Sequence, residues 1–73
     1  MKFVQVFKTD VQDHLVARHI ILFLQTVFSR CRINFDLDDC DKILRIESQQ
    51  QPVEEGQIQL LVAGWGHRCE PLN

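Results

Sequence analysis

The residues best able to do chemistry fall into three groups. Asp10, Asp13 and His14 gather at the start of a helical stretch. Two carboxylates and an imidazole there can hold a hard or borderline cation, but capping explains both acids. Asp10 is a suitable N-cap and Asp13 suits the positive end of the helix dipole. His67 and Cys69 are two apart on a predicted strand, which places them on one face and makes them a partial metal site needing further ligands. In the acidic segment Asp36-Leu-Asp38-Asp39-Cys40-Asp41, Asp36, Asp38 and Glu47 fall at positions 1, 3 and 12 of a calcium loop. Position 6 is Asp41 where that loop needs glycine, and no helix flanks it, so a solvated turn is the expectation.

Catalysis finds less support. There is no glycine-rich phosphate loop, no serine nucleophile motif and no glutamate–histidine metal motif. Cys31 follows the long helix and lies at its negative end, which raises a thiol pKa rather than lowering it. His14 and His19 are five apart and do not share a helical face as an i, i+4 pair would. The expectation is no enzyme and no cofactor.

The elements that position these residues are legible as periodicity. Lys2–Phe7 (KFVQVF) reads as a strand, with Val4 and Val6 on one face and Phe3, Gln5 and Phe7 on the other. A long amphipathic helix follows, capped by Asp10 and running to Ser29. Its buried stripe holds Val16, Ile20, Phe23 and Val27 beside Ala17, Ile21, Leu24 and Phe28, with Leu15 and Leu22 at the margin. Arg32–Leu37 alternates cleanly, with Ile33, Phe35 and Leu37 on one face. Asp38 and Asp39 make a turn into Lys42–Glu47, where Leu44 and Ile46 point inward and Ile43, Arg45 and Glu47 outward. Pro52 opens a second helix, with Glu54 and Glu55 at its amino end, Val53, Ile58, Leu61 and Val62 on its apolar side, and Gly64 ending it. His67–Leu72 forms a last strand. The order β-α-β-β-α-β in one domain of 73 residues predicts an α+β, ferredoxin-like arrangement: a four-stranded antiparallel sheet with two helices on one face.

With that order on the page, IQLLVAGWGHRCEPL resembles the second helix, glycine turn and last strand of heavy-metal-associated domains. VARHIILFLQ resembles the start of that family's first helix. The resemblance covers nearly the whole chain and implies the fold. The family's function rests on a Met-x-Cys-x-x-Cys motif after the first strand, whose thiolates suit a soft ion. The corresponding loop here is KTDVQDHLVA, with Asp10 near the position of the methionine and Gln12 and Leu15 near those of the cysteines. None is a thiolate, so no functional residue of the family transfers.

Composition bounds the partners. A net charge of -2 with no basic run argues against nucleic acid. The longest apolar run, Ile20–Leu24, has five residues, where a membrane span needs roughly 20. The amino end lacks the apolar core of a signal peptide, and the three cysteines show no paired spacing. Both point to a reducing, cytoplasmic setting. Phe3 and Phe7, with Ile43 nearby, are expected to leave apolar area on the open face of the sheet. That area would be a contact surface for a protein partner or a second copy, with Trp65 as a possible further anchor. A non-catalytic interaction or regulatory module is the first expectation. The alternative is a metal-ion carrier or sensor using Asp10, Asp13, His14, His67 and Cys69.

Overall fold

The computed structural model describes residues 1–72. The elements run β1 (Phe3–Thr9), α1 (His14–Val27), β2 (Arg32–Asp36), β3 (Ile43–Ser48), α2 (Glu55–Ala63) and β4 (Cys69–Pro71). They form one antiparallel sheet in the order β2-β3-β1-β4, so β1 and β3 are central and each helix-containing crossover passes over one strand before it rejoins the sheet. This is the ferredoxin-like α+β arrangement, with α1 and α2 packed on one face of the sheet.

Register fixes the faces. Phe7 pairs with Leu44, Gln5 with Ile46 and Phe3 with Ser48, while β2 brings Ile33 opposite Ile46 and Phe35 opposite Leu44. Directly paired residues share a face, so this set lies under the helices. Phe7, Val11, Ile20, Leu24, Leu44, Ile46, Ile58 and Val62 are fully buried and make the core.

The expected faces of β1 are therefore reversed in consequence. Phe7 is 0% exposed, and Phe3 is half-buried on the helix side. Neither supplies an apolar patch on the open face. What remains there on β1 is Val4, 47% exposed, with Val6 and Lys8. Ile43 does point outward, paired with Asp36, yet it is buried in the sheet surface and not available as a contact.

The helix boundaries move for local reasons. Helix α1 starts at His14 rather than after Asp10, because Val11 is drawn fully into the core and the chain must first cross from sheet to helix layer. Thr9 anchors that crossing: its hydroxyl donates to the Lys42 carbonyl and accepts from Val11 N–H at 3.2 Å. Asp13, not Asp10, is the N-cap, its Oδ1 accepting from Leu15 N at 2.7 Å and Val16 N at 3.4 Å. Helix α2 starts three residues after Pro52, capped by Glu54, whose carboxylate accepts from Gly56 N and Gln57 N. Gly64 caps its end in a right-handed conformation, and the left-handed residue of that turn is Gly66, at φ 83°.

Candidate functional site

Of the five residues proposed as metal ligands, the fold brings two together. Asp10 Oδ1 accepts from His67 Nδ1 at 2.9 Å and from the Arg68 N–H at 3.0 Å. An ionised carboxylate only accepts, so Nδ1 carries the proton in this contact. Burial pushes the Asp10 carboxyl up, but the Arg68 N–H and His67 outweigh it and hold the group below its ordinary value. Asp10 thus works as a clasp between the β1–α1 turn and the strand entry of β4, 57 residues away in sequence.

The other three are placed elsewhere. Asp13 is occupied as the cap of α1, and His14 is exposed in its first turn. Cys69 belongs to the core cluster. Burial and the neighbouring Glu70 push its thiol up to about 12, so it stays protonated and is a poor ligand. Strand β4 begins at Cys69, so His67 lies before it and the expected shared strand face does not form. Burial also raises the Cys31 thiol.

The calcium positions are not assembled either. Asp36 Oδ1 accepts from Asp38 N and Asp39 Oδ1 from Asp41 N, which makes both of them turn-formers. Glu47 faces Lys2 and Arg32 at 3.5 and 3.9 Å. Among the described residues, the group of three potential ligand atoms within 4.8 Å of one another is Asp39, Cys40 and Asp41. Asp41 also lies 3.8 Å from Lys8.

The open face of the sheet is polar. Register places Lys8, Arg32, Asn34, Asp36, Arg45 and Glu47 there around Val4, Val6 and Ile43. Charges of both signs interleave across three strands, a pattern that keeps a sheet surface solvated.

The apolar surface lies on the other side of the molecule. Leu15 is 62% exposed and Leu22 56%. They are seven apart, and His19 falls between them on the same stripe of α1. Phe23 continues that stripe toward Trp65. Its ring meets the indole edge-on with centroids 6.0 Å apart, and His19 lies 6.4 Å from the same ring. Trp65 is 40% exposed and sits beside α1 on the helix layer. The sequence marks Trp65 as a candidate anchor and sets Leu15 and Leu22 beside the buried stripe as partly exposed residues; in the structure both are more than half exposed. The signal for them is that α1 is apolar almost all round, which exceeds what one packed face can cover. Helix α1 also contains no acidic residue; its charged or titratable side chains are His14, Arg18 and His19.

Among the described residues, no helix is long and apolar enough to cross a membrane. Comparison with protein-family models, with curated proteins and with solved structures returns no match.

Proposed function

We propose that this protein is a non-catalytic interaction or regulatory module, related in fold to heavy-metal-associated domains but without their thiolate pair. Its contact surface is the solvent side of α1 with Trp65. The observation that carries this reading is the contiguous exposed set Leu15, His19, Leu22, Phe23 and Trp65. Large apolar side chains grouped on one surface mark contact sites more often than singly scattered ones do. The expected partner is a protein segment, an amphipathic helix whose apolar stripe is flanked by acids. A second copy fits less well, because a two-fold contact would set this surface, with Arg18 and no acid on α1, against an identical one that offers Arg18 no opposite charge.

The test is an amide-correlation NMR titration with two synthetic helical peptides sharing one leucine stripe, one flanked by glutamates and one by lysines. The glutamate peptide is expected to shift α1 and Trp65 signals and to bind about tenfold tighter than the lysine peptide. Joint Leu15→Gln and Leu22→Gln replacement is expected to abolish it. Equal affinity for both peptides, or a response confined to sheet residues, sinks the reading.

A second reading, a metal-ion carrier or sensor with non-standard ligands, has one supporting observation, the contact between Asp10 and His67. Calorimetry with Zn(II), Cu(I) and Ni(II) decides it; an affinity weaker than about 10 µM removes it.

A further inference from the structure

At the carboxyl end of α1 a cleft of about 560 Å³ separates the α1–β2 turn from the β3–α2 loop. That volume is in the range of small-molecule sites. Val27, Phe28 and Val53 give it apolar walls. Both sides are held in place rather than loose. Gln5 bonds the Val53 backbone twice, donating to its carbonyl at 2.9 Å and accepting from its N–H at 2.8 Å. Opposite, Gln25 Nε2 donates to the Cys31 carbonyl at 2.8 Å. Ser48 borders the cleft too, but its hydroxyl is buried and offers it no surface.

Four charges bear on this space. Two belong to helix ends. The carboxyl end of α1 borders it at Val27 and Phe28, and the amino end of α2 borders it at Glu54 and Gln57. Each helix end amounts to about half an elementary charge, negative for α1 and positive for α2, so the two largely cancel. The other two are side chains, Arg30 and Glu54. Glu54 is committed: one carboxylate oxygen accepts from Gly56 N at 2.9 Å and the other from Gln57 N at 3.1 Å. Arg30 is exposed and takes no part in the ion pairs among the described residues. Its guanidinium is therefore the charge left to meet a ligand, and it is a fork of donors shaped to a carboxylate.

We propose that this cleft binds a small monocarboxylic acid with an apolar body, its carboxylate paired with Arg30. The apolar body rests on Val27, Phe28 and Val53. One guanidinium with no lysine beside it in the cleft matches a single negative charge better than a doubly charged phosphate. The site lies at the opposite end of α1 from Leu15 and does not depend on the contact surface proposed above.

The probes are 3-phenylpropionate, its neutral counterpart 3-phenylpropanol and acetate, each titrated into the whole chain at neutral pH and followed by amide-correlation NMR. Phenylpropionate is expected to give saturable shifts at Val27, Arg30, Cys31 and Val53 with a Kd below about 10 mM, and the alcohol to bind at least about tenfold more weakly. Acetate has the charge without the apolar body and is expected to give no saturable shift over the same range. Arg30→Gln alters an exposed residue outside the core, so its urea midpoint is expected to match the parent. The variant is expected to bind phenylpropionate about tenfold more weakly and the alcohol as the parent does. The proposal is overturned by the absence of saturable shifts with phenylpropionate, by equal affinity for acid and alcohol, by acetate binding as tightly as phenylpropionate, or by unchanged acid affinity in Arg30→Gln.

Discussion

A two-layer sandwich has two outer surfaces, and in this protein they have exchanged their usual characters. The open face of the sheet, where an uncovered apolar patch is normally sought, carries Lys8, Arg32, Arg45, Asp36 and Glu47 around a few valines. The helix layer, normally polar outside, exposes Leu15, Leu22 and Trp65. The difference comes from how each element distributes its apolar residues. A strand has only two faces, so one substitution pattern settles both. A helix has a continuous circumference, and α1 carries more apolar side chains than its contact with β1–β4 can cover. Surplus on a helix therefore appears as a stripe beside the core.

The largest test of this division is on β1. Phe7→Ala removes a fully buried ring opposite Leu44 and is expected to cost about 3–5 kcal/mol. In a domain this small that approaches the whole stability, so the variant should show lost amide dispersion or a collapsed urea transition. Val4→Ala, on the other face of the same strand, should stay within about 1 kcal/mol of the parent. Similar losses in the two variants would reverse the faces and with them the comparison.

The element order was legible in the sequence, because strands and helices here differ in period and their boundaries carry turn residues. The parity of β1 was not. Phe3, Val4, Val6 and Phe7 supply apolar side chains to both faces, and alternation cannot choose between them. The choice is made at long range, by Phe7 meeting Leu44 and by Gln5 reaching the Val53 backbone. Asp10 teaches the same lesson. Its residue type announces a hydrogen-bond acceptor near a helix start, which it is, but its donors come from His67 and Arg68. Nothing local to Asp10 points to them. Ser48 is a polar letter at the end of a strand, and only the packed structure shows that its hydroxyl has no partner among the described residues.

The two turn carboxylates give the next largest effect. Asp13→Ala deletes the cap of α1 and should cost about 1 kcal/mol in urea unfolding. Asp10→Ala releases the clasp to β4 and should cost somewhat less, about 0.5–1 kcal/mol, since the pair is exposed to solvent screening. The sign of its pH dependence follows from the lowered Asp10 carboxyl. A depressed folded value means the contribution is whole above the ordinary 3.8 and disappears as pH falls through the lower folded value. The stability gap between parent and Asp10→Ala should therefore be constant in mildly acidic buffer and close in strong acid. A gap that stays whole in strong acid would show that Asp10 does not act as an ionised acceptor.

The smallest stability effect is the sharpest probe of the two surfaces. Leu22→Gln keeps a good helix former at an exposed site of α1, and Val4→Thr keeps a β-branched residue on the open face of β1. Each should change unfolding free energy by no more than about 0.5 kcal/mol. Stability therefore cannot distinguish them, and only contact can. If the apolar stripe is the working surface, Leu22→Gln weakens binding of the glutamate-flanked helical peptide while Val4→Thr leaves it unchanged. If the peptide instead responds to Val4→Thr, the charged sheet face is the one that recognises partners. The exposed leucines would then be surplus apolar area with no role beyond covering the core.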